Sequence, residues 1–208
     1  MKKRIKKIKE SIGQKHYDLL QQDLKTNNKL RLATKRNLSR IYCNCFYTGV
    51  RLNENQGYYK TINGVEYRIG FFAFNIKELY TTGITTIILS KQLKERKLFL
   101  TPNYKKDIEQ YFDLTANNDE LIVSKGSNTN NKSPITIPTL INQVNKHMKS
   151  VLGKGFTSHS FRQGVLSEYG RKGVHAKIVQ GWIGHANIAQ TIDYFKVEDN
   201  DIRDNLIR

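Results

Sequence analysis

Six side chains in this 208-residue sequence have types and spacings suited to chemistry on an anionic ester. His159 and Arg162 sit in Thr157-Ser-His-Ser-Phe-Arg162, three residues apart, so they share a face if the segment is helical. His185 closes Gly181-Trp-Ile-Gly-His185, and Tyr194 follows nine residues later in Thr191-Ile-Asp-Tyr194. Upstream, Arg51 stands in Thr48-Gly-Val-Arg-Leu-Asn-Glu54 and Lys91 in Ser90-Lys-Gln-Leu-Lys-Glu-Arg96. A phosphodiester carries one negative charge, and its pentacoordinate transition state spreads more over the equatorial oxygens. Guanidinium forks, imidazoles and an ammonium match that charge. A tyrosine hydroxyl, with an ordinary pKa of about 10, needs such a cationic surrounding to attack readily.

Each residue also has an ordinary reading. Arg51 would cap a helix or pair with Glu54, and Lys91 would be a turn lysine. His159 would lie at the surface or cap a helix, and His185 would close one. Tyr194 is one of eleven tyrosines and would simply pack.

The composition narrows the partner. A formal net charge of +17 favours a polyanion, most commonly nucleic acid, with a basic ribosome-type or membrane-surface protein as the alternative. The hydrophobic fraction of 38% is sufficient for one compact domain. Cys43 and Cys45 lie in one apolar run with no second pair to complete a zinc site. They read as small helix residues in a reducing, intracellular compartment. No apolar run has the length of a membrane span, so no membrane partner is expected. The Asn, Lys and Ile bias suits an AT-rich genome, such as that of an organelle (a plastid is one), a plasmid or a virus.

The elements that must position these residues are partly legible. Residues 1–36 hold twelve Lys or Arg against three acids. Ile5, Ile8, Ile12, Tyr17, Leu19, Leu20 and Leu24 suggest a helix with one apolar face. It is either a solvated helix or a basic arm that tracks DNA. A second helix is predicted over 35–48, ended by Gly49. Asn63-Gly64 between β-rich flanks predicts a hairpin over 58–69. A second hairpin is predicted from 84–90 and 97–100 around the basic turn 91–96. Phe71-Phe-Ala-Phe74 reads as a buried strand. Pro102 opens a helix to about Leu114, 115–137 is polar loop with 128–133 mobile, and helices cover 138–151, 158–170, 174–182 and 187–195. Trp182 and Ile183 read as core. The order is α+β, mainly helical, with a small antiparallel sheet.

Taken together, these motifs resemble the tyrosine recombinase (phage integrase) family. Its pattern is an Arg in a Thr-Gly-x-Arg-x-x-Glu box, a Lys on a β-hairpin, His-x-x-Arg, a Leu-Gly-His-like box and a Tyr. Arg51, Lys91, His159, Arg162, His185 and Tyr194 match it, with Ile183 where Leu is usual; the likeness spans roughly residues 32–200. The resemblance implies that Arg51 and Arg162 bind the non-bridging oxygens and that His159 and His185 donate or relay protons. Lys91 would protonate the departing 5′ oxygen, and Tyr194 would form a 3′-phosphotyrosyl bond. It implies no metal and no cofactor. It implies double-stranded DNA as partner and a homo-oligomer, a tetramer, on DNA.

Two features depart from the pattern. The stretch from Arg51 to Lys91 is long, with the Asn63-Gly64 hairpin as the apparent insertion, and Asn53-Glu-Asn-Gln-Gly57 replaces a Leu-rich helix. Only about forty residues precede the Arg51 box, too few for a full core-binding domain. The expected organisation is therefore a basic helical arm over 1–31 and a catalytic domain over 32–208. Lys2, Lys3, Arg4, Lys6 and Lys7 of the arm, with Lys94 and Arg96 of the turn, are expected to contact phosphates. Deleting residues 2–30 should then weaken binding broadly and flatten its salt dependence. Residues 195–208 are either a frayed tail or a segment that packs on a neighbouring protomer. Site-specific recombination or integration by an element-borne enzyme leads. A type IB topoisomerase and a decayed DNA-binding relative are the alternatives.

Overall fold

The computed structural model describes residues 10–90, 93–125, 133–185 and 187–192. Helices α1 (Gln14–Thr26) and α2 (Leu32–Thr48) come first. A 3-10 turn (Leu52–Glu54) leads to the hairpin β1 (Tyr58–Ile62) and β2 (Val65–Ile69). Then follow α3 (Ala73–Thr82), β3 (Ile84–Ile88), β4 (Glu95–Phe99) and α4 (Pro102–Tyr111). Helices α5 (Ile137–Leu152), α6 (His159–Arg171), α7 (Ala176–Ile183) and the short α8 (Ala189–Ile192) complete the order. The predicted α+β class with helix predominating holds.

Helix α2 is the central element, packed against α1, α4 and α6. Its Leu38, Ile41, Tyr42, Cys43 and Cys45 are buried, which burial on this scale stabilises by roughly 1.5–3 kcal/mol for each large apolar side chain. It stops where Gly49 takes φ +62, donating its N–H to Cys45 O. Both cysteines are free, and burial pushes the Cys45 thiol up to about 12, so neither acts as a thiolate.

Helix α1 belongs to this core. Tyr17, Leu20 and Leu24 are buried, while Leu19 faces solvent. Tyr17 Oη donates to Asp107 Oδ2 of α4 at 2.5 Å, and Tyr47 Oη donates to the same oxygen at 3.0 Å. His147 of α5 bonds Asp23 of α1 at 3.0 Å and Tyr42 of α2 at 2.8 Å. Before α1, residues Glu10–Gly13 lie across α6: Ile12 is buried and its N–H donates to Ser160 O at 3.0 Å. A Cβ on Gly164 would overlap the Ile12 carbonyl, so α6 accepts this segment only because residue 164 has none. The amphipathic pattern was therefore a core signal here, and removing residues 2–30 would strip core side chains along with basic ones.

The sheet has the order β1-β2-β3-β4. Each hairpin is antiparallel as expected, with Ile62 opposite Val65 at the Asn63-Gly64 turn and Ile88 opposite Glu95. Asn63 and Gly64 both take positive φ, 49° and 77°, as a type I′ turn requires. The joint between the hairpins is parallel, a single pairing of Ile69 with Ile88, so the sheet is mixed. Helix α3 accounts for this: it carries the chain back between β2 and β3. The Phe71–Phe74 strand expectation is corrected at the same place. Phe72 pairs with Leu121 and caps α3, which starts at Ala73 and buries Ala73, Ile76 and Leu79. The predicted mobile stretch 128–133 lies, apart from Ser133, outside the described residues. No helix among the described residues is long and apolar enough to cross a membrane.

Candidate active site

Arg162 is the best-anchored member of the set. It lies one turn into α6 and is 5% exposed. Its Nη1 donates to Gly49 O at 3.0 Å, its Nη2 to Ile183 O at 2.6 Å, and its Nε to His185 Nε2 at 3.3 Å. Three of the five guanidinium N–H groups thus tie together the end of α2, the end of α7 and the following histidine. Both carbonyls stand beside left-handed glycines. A Cβ on Gly49 would come 2.9 Å from Ile183 Cδ1, and one on Gly184 would come 2.7 Å from Leu89 Cδ1. Gly184, at φ +73, ends α7 and turns the chain so that His185 faces Arg162.

His185 is neutral. Its pKa is lowered to about 4, by burial first and then by the charges of Arg162, Arg51 and Arg96. Because Nε2 accepts from Arg162, the ring proton sits on Nδ1 and is donated to Thr191 Oγ1 at 2.9 Å. Thr191 is fully buried on α8 and had no signal in the sequence.

Arg51 joins the cluster from the 3-10 turn. Its guanidinium is a quarter exposed and meets Glu54 Oε1 at 3.3 Å, while its backbone N–H donates to Glu54 Oε2 at 2.8 Å. The ordinary Arg51–Glu54 pairing is therefore present, and it holds the arginine beside the others. Glu54 is fully buried and also accepts from Ser90 Oγ at 3.5 Å, and Asn53 Nδ2 donates to Ser90 Oγ at 3.0 Å. These bonds tie the Arg51 turn to the residue immediately before Lys91. Phe71 N–H donates to Glu54 O at 2.9 Å, so the base of the inserted hairpin braces the same turn.

The remaining expectations divide. His159 opens α6 on the side of Arg162, three residues earlier, and is exposed. Lys94 is exposed, and its carbonyl accepts from Leu89 N–H at 2.8 Å to close the turn. Arg96 does not belong with the surface cations. β4 begins at Glu95, which places Arg96 in the strand, on the inward face it shares with Leu98, at 3% exposure. Its Nη2 donates to Thr48 O, and its guanidinium lies 4.2 Å over the Trp182 ring. Trp182, expected in the core, is half-buried against Tyr169 and Arg96, and Ile183 is fully buried. Lys91, Tyr194, Lys2, Lys3, Arg4, Lys6 and Lys7 lie outside the described residues.

Comparison with known proteins shows the family and the fold. The sequence model of the phage integrase family matches residues 68–201, which take in Lys91, His159, Arg162, His185 and Tyr194 but not Arg51. Tyrosine recombinase XerA of Pyrococcus horikoshii is 29% identical over 113 residues, 53% of this chain and 38% of that protein. Among solved structures, XerA recombinase superposes with a TM-score of 0.61 at 19% identity, over 99% of this chain and 65% of that one. XerH site-specific recombinase, in a post-cleavage complex with palindromic difH substrate, gives 0.61 at 16% identity, over 96% and 53%. The catalytic domain of bacteriophage HP1 integrase gives 0.54 at 14% identity, over 96% of both chains. The chain thus spans less than two thirds of the Xer proteins it resembles and nearly all of the isolated HP1 domain.

Proposed function

Since the chain belongs to the phage integrase family, we propose that it cuts and rejoins double-stranded DNA at a specific site through a 3′-phosphotyrosyl intermediate. The observation that carries this reading is Arg162 fixed by two backbone carbonyls and bonded to a neutral His185, with Arg51 in electrostatic reach.

In this reading Arg51 and Arg162 take the non-bridging oxygens of the scissile phosphate. The Tyr194 oxygen attacks phosphorus and gives up its proton to solvent water as the Tyr194–phosphorus bond forms. The bond from phosphorus to the 5′ oxygen breaks, and Lys91 gives that oxygen a proton. The freed 5′ hydroxyl of the same or another strand then reverses the step, so the phosphodiester energy is conserved. His159 and His185 act on the phosphate oxygens. A bound phosphodiester offsets the surrounding positive charge, so His185 gains proton affinity as DNA arrives. Preset charge and donors are the main means of lowering such a barrier.

The partner is duplex DNA, bound mostly through phosphates, with a homotetramer as the working assembly. Two relatives of the fold were solved on DNA, XerH on difH and the Tn1549 transposon integrase on circular intermediate DNA, which supports the same partner here. The basic segment ahead of Glu10 acts as the tracking arm, attached through the residues that cross α6.

The test is a detergent-stable covalent adduct between protein and DNA. Wild type is incubated with fragmented genomic DNA, adducts are recovered and their junctions sequenced, and a nicked duplex of the recovered site is used for rates. Wild type forms the adduct and Tyr194→Phe does not. An adduct that persists in Tyr194→Phe, or junctions scattered without a common site, overturns the proposal.

A further inference from the structure

We propose that Arg96 is a positioning residue, which locks the Thr48–Arg51 turn to helix α7 so that Arg51, Arg162 and His185 meet a phosphate as one preformed set. The inference rests on the phosphodiester reading above but is tested apart from it.

Arg96 stands on the inward face of β4 opposite Ile87, a position where an apolar side chain would serve folding. Instead a guanidinium is buried there, and its Nε and Nη1 have no hydrogen-bond partner among the described residues. Leaving buried N–H groups of a charged side chain unmade is costly, so stability alone does not explain the residue. Its other contacts point to the site. Nη2 donates to the carbonyl of Thr48, one residue before the Gly49 carbonyl that holds Arg162 and three before Arg51. Its flat face lies on Trp182, one residue before the Ile183 carbonyl that also holds Arg162 and three before His185. Trp182 Nε1 donates back to Lys97 O at 3.1 Å, so α7 is fastened to β4 twice.

One planar group therefore spans both chain segments that anchor Arg162. The side chain stays charged at neutral pH: burial and the neighbouring Arg162 lower its pKa to about 9, and Glu54 opposes them. Its charge faces Arg162, Arg51 and His185, with Glu54 the carboxylate among them. A lysine would keep the charge but neither the fork nor the stacked face.

The test uses the full chain and inorganic phosphate, followed through the His185 imidazole resonances, which are assigned by their loss in His185→Gln. Arg96→Met, Arg96→Lys and Trp182→Leu are compared with wild type. In Arg96→Met phosphate affinity falls about tenfold, the scale of one lost contact to a charged group, and the His185 midpoint moves up from its wild-type value. Arg96→Lys restores the midpoint and only part of the affinity. Trp182→Leu weakens phosphate binding with Arg96 intact. If Arg96→Met does not fold, the other two variants carry the test. Wild-type phosphate affinity in folded Arg96→Lys and Trp182→Leu, with only the melting temperature lowered, overturns the proposal. Because no DNA is cut in this experiment, a failure of the adduct assay and a failure here remain distinguishable.

Discussion

The close crossing of Glu10–Gly13 over α6 gives opposite signs to one substitution at two helical glycines. At Gly164 a Cβ would lie 2.9 Å from the carbonyl carbon of Ile12 and overlap its oxygen. Both are backbone atoms that no side-chain rotation can clear, so Gly164→Ala must lift the segment off the helix. The loss is the burial of Ile12, worth roughly 1.5–3 kcal/mol, and the Ile12–Ser160 hydrogen bond, about 1 kcal/mol. The gain is the helix preference of Ala over Gly, about 1 kcal/mol. The balance is a loss of about 2 kcal/mol, or a fall in melting temperature of roughly 4–8 °C for a chain of this size. Gly181, inside α7, has nothing among the described residues within 4 Å of an added Cβ, so Gly181→Ala should instead stabilise by up to about 1 kcal/mol. Urea and thermal unfolding of both variants, with Ile12→Ala as the comparison, measure the difference. If Gly164→Ala stabilises the protein as Gly181→Ala does, the segment is not seated on α6 and the reasoning fails.

Further outcomes follow from the other anchored groups. His185 titrates near pH 4 when folded against about 6.5 unfolded, so the unfolded chain binds the extra proton and stability falls as pH drops through that window. Discounted for its half exposure, the effect is on the order of 1–2 kcal/mol. Unfolding free energies at pH 7 and pH 4 should show a steeper loss in wild type than in His185→Gln, and equal losses would contradict it. Arg162→Lys cannot reach Gly49 O, Ile183 O and His185 together, so it should cost roughly 2–4 kcal/mol in urea unfolding and abolish adduct formation. Asp107→Ala leaves the Tyr17 and Tyr47 hydroxyls without their shared acceptor and should cost roughly 1–3 kcal/mol, read by the same unfolding midpoint. Deleting residues 2–9, which spares Ile12 and α1, should flatten the slope of log affinity for duplex DNA against log salt by up to about 5; an unchanged slope removes the arm from the binding surface.

Much of this architecture was legible because local rules and tertiary packing agree. Gly49 ends α2 where the sequence placed it, and Asn63-Gly64 turns the first hairpin. His-x-x-Arg lies on a helix and is followed by a histidine that reaches the arginine. The failures came where tertiary context overrides a local signal. The aromatic run 71–74 looks like a strand, but its partners arrive from Leu121 and from the helix that Ala73, Ile76 and Leu79 build at three-residue spacing. Arg96 looks like a turn cation because it follows Lys94 and Glu95. The alternation with buried Leu98 was the available sign that it points inward. The basic N-terminal segment carries charge and apolar spacing on one pattern, and only packing shows that Tyr17, Leu20 and Leu24 serve the core.

The anchoring of Arg162 by main-chain oxygens bears on how such a site drifts. Carbonyls are supplied by any residue, so positions 49 and 183 constrain the arginine through backbone shape rather than side-chain identity. Ile183 can stand where leucine is usual because its contribution to the guanidinium is an oxygen common to both. Neutral exchange can therefore accumulate around the arginine while its orientation persists, and the strictest demand falls on the two glycines whose turns aim those oxygens.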